Sequence, residues 1–168
     1  HTTARNYLDI LQDFFMVRQV HPWSGNTKKR LVKTPKVYIR DTGLLHSLLN
    51  VSSFDQLLGH PAVGASWEGF VMENILNQLP ADWTASYYRS SNQAEIDLVL
   101  EFGTNEVWGI EIKKSSAPTI KSGFHRACED IGATKKYVVY SGADRFPMRG
   151  DIEAVGLIEF LGMISTSE

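Results

Sequence analysis

The first part of the chain has the hydrophobic spacing of a helix, and the pattern after it changes to that of strands. Residues 2–19 follow the i, i+3, i+4, i+7 spacing that predicts an amphipathic helix. The positions at this spacing are Tyr7, Leu8, Leu11, Phe14, Phe15 and Arg18. Short strand-like runs are predicted at 30–33 and 36–39, and Asp41 is well placed to cap a short helix over 42–49.

The remainder of the chain carries helical and strand-like patterns in turn. A helix is predicted from Val63 to Leu79, before a proline, and another from Thr119 to Ile131. The predicted strands are 86–89, 94–102, 107–113, 136–140 and 152–155, with a C-terminal helix from about Gly156. A glycine-containing turn at 103–105 favours a hairpin between the second and third strands. The order of helix, three strands, helix and strand predicts an α/β fold.

These patterns divide the chain into three parts. Residues 1–50, with a helix, a basic turn, short strands and a helix, resemble the tail of a winged-helix module. Residues 51–62 are rich in turn-forming side chains and predict a connector. Residues 63–168 hold the α/β pattern and are predicted to form the main domain.

The composition is that of an ordinary globular protein. The 168 residues are 43% hydrophobic and 21% charged, and Cys128 is the single cysteine, which excludes an internal disulfide and a cysteine zinc cluster. No apolar run approaches the roughly 18 residues of a membrane span, and no signal-peptide pattern opens the chain. We therefore expect a cytoplasmic protein with no membrane partner. The abrupt helical start indicates a piece of a longer protein.

Positive charge is concentrated in one stretch, although the net charge is only −2. Residues 22–40 contain no acid, and their basic residues are Lys28, Lys29, Arg30, Lys33, Lys36 and Arg40. One interpretation is a phosphate-contacting surface, for which the candidates are Lys28, Lys29 and Arg30, together with Arg89 at the end of a predicted strand. The other interpretation is a solvated turn and strand edge, with Arg89 an ordinary surface residue.

Two predicted strands carry acidic side chains on one face. Side chains alternate along a strand, so Glu95, Asp97 and Val99 share a face, and Glu111 shares one with Lys113. The face opposite the first group carries Ile96, Leu98 and Leu100. If the two strands pair as a hairpin, Asp97, Glu111 and Lys113 converge on one side of an otherwise apolar pair of strands.

This group of side chains suits metal-assisted hydrolysis of a phosphodiester. Mg²⁺, or Mn²⁺ in its place, prefers oxygen ligands, which Asp97, Glu111 and the carbonyl of Ile112 would supply. Lys113 would position or deprotonate the attacking water and offset charge on the phosphate. Glu68, on the preceding helix, would complete the site directly or through water. The alternative is an exposed hairpin face with an ion pair worth about 0.2–1 kcal/mol.

The positions of Glu68, Asp97, Glu111 and Lys113 resemble the catalytic frame of the PD-(D/E)XK nucleases, a group that includes archaeal Holliday-junction resolvases. The predicted order of helices and strands is also that of their core. The resemblance implies a mixed sheet flanked by helices, a Mg²⁺ ion held by the acids, and DNA as the substrate. One departure is Ile96, which precedes the first acid where the family name has proline.

Over nearly its whole length the chain also resembles the C-terminal domain, of unknown function, of a prokaryotic family of AAA-type ATP-binding proteins. The segments that carry this resemblance are Tyr7-Leu8-Asp9-Ile10-Leu11, Pro35-Lys36-Val37-Tyr38, Asp41-Thr42-Gly43-Leu44-Leu45, Trp67-Glu68-Gly69-Phe70-Val71, Tyr88-Arg89, Glu95-Ile96-Asp97-Leu98-Val99 and Glu111-Ile112-Lys113. In that family an ATPase core precedes this region, which implies that core as a partner. The chain itself contains no Gly-x-x-x-x-Gly-Lys-Ser/Thr, and therefore no P-loop.

The sequence leaves three functions open. The first is a Mg²⁺-dependent DNA endonuclease or resolvase-like domain coupled to the ATPase. The second is an inactive nuclease-like module that binds nucleic acid or protein and regulates the ATPase. The third is a docking domain that helps the ATPase oligomerise. Glu73, five residues after Glu68, is interpreted as a solvated helix acid outside the site.

Overall fold

A mixed β-sheet with helices on both faces forms the centre of the protein. The computed structural model describes residues 2–25, 27 and 29–166. In chain order the elements of this part are α1 (Thr2–Asp13), β1 (Val17–Val20), β2 (Lys36–Ile39), α2 (Thr42–Leu48), α3 (Phe54–Gly59), α4 (Val63–Gln78), β3 (Thr84–Arg89), β4 (Glu95–Phe102), β5 (Glu106–Lys113), α5 (Ser122–Ile131), β6 (Lys135–Tyr140), β7 (Phe146–Met148), β8 (Ile152–Gly156) and α6 (Leu157–Ser165).

The strands form a small sheet and a large one. Within the described residues, β1 pairs with β2, and the larger sheet has six strands in the order β3-β4-β5-β6-β8-β7. Strands β5, β6 and β8 run parallel to one another, while the pairs β3–β4, β4–β5 and β7–β8 are antiparallel. Gly103, with φ of 58°, makes the predicted turn between β4 and β5, and Gly132, with φ of 65°, ends α5. The predicted α/β order is therefore confirmed.

Each face of the large sheet buries its own apolar layer. Helices α4 and α6 cover one layer, whose main members are Val71, Met72, Ile75, Leu98, Leu100, Trp108, Ile110, Val139, Phe160 and Ile164. Helix α5 covers the other, whose main members are Tyr88, Ile96, Val99, Phe124, Ala127, Cys128, Ile131, Val138 and Ala154. Trp108 is about 1% exposed, and truncating such a side chain to alanine costs roughly 3–5 kcal/mol. These two layers hold β4 and β5, and hence the acidic residues, in place.

The first helix is shorter than predicted. α1 ends at Asp13 because Phe15 adopts a left-handed conformation, with φ of 57°, and the Met16 N–H donates to the Leu11 carbonyl at 2.9 Å. This pattern is a Schellman cap, which satisfies the last carbonyls of a helix and turns the chain away. The prediction of helix through residue 19 was therefore wrong. Residues 17–20 instead form β1, which pairs with β2.

The predicted strand at 30–33 was also wrong. Its residues join the large sheet at an isolated bridge between Leu31 and Ser90, where the Val32 N–H donates to the Arg89 carbonyl and the Ser91 N–H donates to the Arg30 carbonyl. The segment before β2 runs along the edge of β3, where the Trp23 N–H donates to the Tyr87 carbonyl at 2.7 Å. This segment therefore covers the edge of β3 and is not a regular strand.

Several smaller features complete the fold. Asp41 caps α2 as predicted, accepting a hydrogen bond from the Leu44 N–H at 2.9 Å. The predicted connector contains a short helix, α3, capped by Ser53. None of the helices in the described ranges has both the length and the apolar character needed to cross a membrane.

Candidate active site

A bulge in β4 places the acidic residues of that strand. Ser86 of β3 lies opposite Val99, and Tyr88 lies opposite Ile96, so β4 uses three residues where β3 uses two. Such a bulge re-aims the side chains beside it. Ile96 consequently packs in the same core layer as Val99. The strict alternation that the sequence predicted for 94–100, with these two residues on opposite faces, was therefore wrong.

Asp97 lies in this bulge and is fixed by the neighbouring strand. The ladder between β4 and β5 extends from Phe102 to Leu98, which lies opposite Ile110. Just past that point the Ile112 N–H donates to Asp97 Oδ2 at 3.0 Å, so the side chain serves as acceptor in place of a backbone carbonyl. Asp97 is only 9% exposed. Oδ2 of Asp97 thus holds β4 to β5, and Oδ1 is left to contact other side chains.

The predicted acids and lysine line a single cavity of about 430 Å³. Its walls come from β2, α4, the end of β3, β4, β5 and the start of α5. The lining residues are Lys36, Glu68, Arg89, Gln93, Glu95, Asp97, Glu111, Ile112, Lys113, Lys121, Gly123 and Phe124. The structure therefore brings together all the residues that the sequence selected as metal ligands or catalytic groups.

Glu111 and Lys113 form the inner ion pair of this cavity. Lys113 Nζ lies 2.5 Å from Glu111 Oε1, and Glu111 is 8% exposed. Burial, and next the negative charge of Asp97, raise the pKa of Glu111 to about 7, although Lys113 opposes that change. Lys113 therefore offsets only part of the combined effect of burial and of Asp97 on the pKa of Glu111.

Lys36, at the start of β2, is the main site residue that sequence reasoning missed. Its Nζ lies 3.1 Å from Glu95 Oε1, 3.1 Å from Asp97 Oδ1 and 3.3 Å from Glu68 Oε1. Burial by itself would lower the pKa of Lys36, but the charges of these acids outweigh it and the pKa is raised. Its signals in the sequence were membership of the acid-free stretch at 22–40 and of the segment Pro35-Lys36-Val37-Tyr38, and neither placed it at the site.

Tyr38, two residues further along β2, also reaches the cavity wall. Its hydroxyl donates to Glu68 Oε1 at 2.5 Å. Burial, followed by the negative charge of Glu68, raises the pKa of Tyr38, so the phenol remains a neutral donor. Strand β2 thus supplies both a cation and a hydrogen-bond donor to acids of α4 and β4.

The chemical type of the predicted ligand atoms suits Mg²⁺. All of the predicted ligands offer oxygen, the donor type that Mg²⁺ prefers. In the described ranges, however, no three His, Cys, Asp or Glu side chains form a group that could hold a metal ion together. The carboxylates instead contact ammonium groups, with Glu68, Glu95 and Asp97 around Lys36 and Glu111 beside Lys113.

The predicted nucleic-acid contacts lie in different places. Arg89 borders the cavity, with a half-exposed side chain whose Nε is 3.7 Å from Glu95. Lys29 lies 3.9 Å from Asp130 beside a separate hollow, and Arg30 is exposed next to the turn between β3 and β4. Lys28 lies outside the described residues. Their contact with nucleic acid remains a prediction.

Glu73 is not the solvated acid that the sequence indicated. Its carboxylate accepts from Arg18 Nε at 2.6 Å, from Arg18 Nη2 at 2.9 Å and from Arg40 Nε at 2.6 Å. Burial would raise the pKa of Glu73, but the hydrogen bonds from the two arginines outweigh it and the pKa is lowered. The residue joins β1 and the end of β2 to α4. Its charge partners are distant in sequence, which is why local spacing could not identify them.

Comparison with known proteins gives relatives without an assigned activity. The chain is 42% identical, over 167 residues, to an uncharacterized protein of Mycobacterium tuberculosis and to one of Mycobacterium bovis. The match covers 99% of this chain and 37% of each relative, so the chain spans about a third of their length. No solved structure matches the chain.

Two family descriptions match separate parts of the chain. Residues 1–55 match a domain of unknown function, DUF8612, and residues 63–160 match another, DUF4143. Lys36 belongs to the first region, and the acids around it belong to the second. Because the second match covers more than half of the residues, the chain belongs to the family described as Domain of unknown function (DUF4143).

Proposed function

We propose that the chain is a Mg²⁺-dependent DNA endonuclease domain, resolvase-like in type. It would have a PD-(D/E)XK core over 63–168 and a winged-helix-like segment before it. The observation that carries this proposal is the convergence of Asp97, Glu111 and Lys113 with Glu68 in one cavity at the end of two adjacent strands. Two buried acids and a lysine at such a place are costly for stability and suit phosphodiester chemistry.

Each residue would have a defined role. Asp97, Glu111, the Ile112 carbonyl and Glu68 would hold Mg²⁺ or Mn²⁺, which when bound lowers the pKa of water and polarises phosphate. Lys113 would hold the attacking water in line and balance charge on the phosphate oxygens. Its hydrogen bond to Glu111 keeps the ammonium directed into the cavity.

The proposed substrate is nucleic acid, and the proposed partner is an ATPase core in the same longer protein. Arg89 at the cavity border would contact a phosphate, and Lys28, Lys29 and Arg30 would extend that contact along the backbone. The chain covers 37% of its mycobacterial relatives, which leaves room in such a protein for an ATPase region.

The test combines metal binding with cleavage. The purified chain is titrated with Mn²⁺ and assayed with Mg²⁺ on linear duplex and on four-way-junction DNA. We expect Asp97→Asn to weaken Mn²⁺ binding by about 100-fold and to abolish cleavage, while Asp144→Asn, at an exposed position, changes neither. Equal Mn²⁺ affinity and cleavage in wild type and Asp97→Asn would overturn the proposal.

A second function is favoured by the lysines in the site. Because Lys36 and Lys113 already contact the carboxylates, the chain could serve as an inactive nuclease-like module that binds nucleic acid and regulates the ATPase. This function predicts salt-dependent DNA binding without cleavage. Replacing Lys28, Lys29 and Arg30 by glutamate would then abolish binding, whereas Asp97→Asn would leave it intact.

A further inference from the structure

Lys36 occupies the place where a bound cation would contact the acids of the site. Its Nζ lies within 3.1 to 3.3 Å of one oxygen from each of Glu68, Glu95 and Asp97. The side chain is 19% exposed, so most of it is shielded from solvent. Three carboxylates around one ammonium leave the group negatively charged, and this suits a cation of higher charge.

The position of Lys36 is set by a segment attached to the edge of the large sheet. The Tyr87 hydroxyl donates to the Thr34 carbonyl, two residues before Lys36, and the Tyr87 ring lies 5.6 Å from Nζ. The Val32 N–H also donates to the Arg89 carbonyl at 2.9 Å. These contacts hold the backbone just before Lys36 against β3, so its side chain extends toward the acids from a fixed point.

Lys36 and a divalent ion would need the same oxygen atoms. Asp97 Oδ2 already accepts from the Ile112 N–H, so Oδ1 is the oxygen that Asp97 can give to another cation. That oxygen accepts from Lys36, as does Glu68 Oε1. Two cations cannot share these oxygens at hydrogen-bonding distance without strong repulsion.

We infer that Lys36 is a built-in competitor of the divalent metal, so that metal binding displaces its ammonium from Asp97 and Glu68 and loosens β2. This inference rests on the proposed metal site. By thermodynamic linkage, any partner that holds β2 against α4 weakens metal binding, and any partner that draws β2 away strengthens it. The region matched by one family thereby regulates a site built by the other.

The test measures Mn²⁺ binding to the full chain, by electron paramagnetic resonance of the free ion, in wild type, Lys36→Gln and Lys33→Gln. We expect Lys36→Gln to bind Mn²⁺ about 10- to 100-fold more tightly than wild type. Lys33→Gln, at an exposed position three residues away, should match wild type. Equal or weaker binding by Lys36→Gln, with clear binding by wild type, overturns the inference and leaves the proposed function standing. Absence of Mn²⁺ binding in all three folded proteins overturns both.

A second measurement covers the case in which Lys36→Gln does not fold. Hydrogen exchange of the wild-type amides in Lys36–Ile39 is followed with and without saturating Mn²⁺. Displacement of Lys36 should speed this exchange about tenfold, while the amides of β6 stay unchanged. Exchange in β2 that is unaffected by bound Mn²⁺ overturns the inference.

Discussion

The two sides of the candidate site are built in opposite ways. Asp97, Glu111 and Lys113 belong to adjacent strands joined by a short hairpin, whereas Lys36 lies 61 residues before Asp97 and reaches it from a separate small sheet. The first group is positioned by strand geometry within one hairpin. The second is positioned by docking of the N-terminal segment against β3 and α4. The comparison teaches that local structure brings the two acids and Lys113 together, while long-range packing brings the Lys36 ammonium to the acids.

The largest expected effect concerns the lysine that the hairpin supplies. On the proposed function, Lys113→Ala should lower the cleavage rate by about 100- to 1,000-fold, because a preorganised positive charge at the phosphate is lost. Its Mn²⁺ affinity should not fall by more than about threefold from that of wild type, since Lys113 is not a ligand. Single-turnover cleavage and Mn²⁺ titration measure the two quantities. Lys114→Ala, at the adjacent position, serves as the control, and undiminished cleavage by Lys113→Ala would remove its catalytic role.

The second-largest effect is expected from the ionisation of Glu111, the buried acid of β5. The pKa of Glu111 rises from 4.5 to about 7 on folding. The contribution of protonated Glu111 to the unfolding free energy is therefore fully present below about pH 4.5 and is lost as the pH rises through about 7. Relative to Glu111→Gln, metal-free wild type should lose up to about 3 kcal/mol of unfolding free energy between pH 4.5 and pH 8.

Urea unfolding in the presence of a chelator at these two pH values measures that difference. Glu129→Gln on the exposed side of α5 should unfold in parallel with wild type. A difference between Glu111→Gln and wild type that does not vary with pH would mean that Glu111 is ionised as easily as a solvated acid.

A smaller effect is expected where the small sheet joins α4. Glu73→Ala leaves Arg18 and Arg40 without their shared carboxylate, and should cost about 1–3 kcal/mol of unfolding free energy. Because this junction holds β1 and β2, their amides should also exchange faster. Urea unfolding and hydrogen exchange test both effects against Glu129→Ala. Loss of stability without faster exchange in β1 and β2 would show that this junction does not determine where Lys36 lies.

The smallest effect concerns the hydroxyl of Tyr38. Tyr38→Phe removes its hydrogen bond to Glu68 and keeps the ring, so the expected cost is about 1 kcal/mol or less. Thermal unfolding measures this cost. If Tyr38 steadies the contact between β2 and Glu68, the variant should bind Mn²⁺ slightly more tightly than wild type. Weaker Mn²⁺ binding would instead indicate that the hydroxyl orients Glu68 as a ligand.

Several features could be predicted because they depend on neighbours in the chain. The hairpin of β4 and β5 follows from two strand-like runs around a glycine turn, and it carries Asp97 and Glu111 to one cavity. The cap at Asp41 likewise needs only the amides of the next turn. Even here the bulge in β4 could not be read from the alternation, because it depends on how β3 packs beside it.

By itself, then, the sequence determined the order of helices and strands and the meeting of two acids with Lys113, because both follow from local periodicity and short connections. Tertiary structure alone decided three other features. It turned 17–20 into a strand, paired Glu73 with Arg18 across 55 residues, and placed Lys36 among the acids. Each depends on a partner far away in the chain, whose position is settled only when the apolar layers pack.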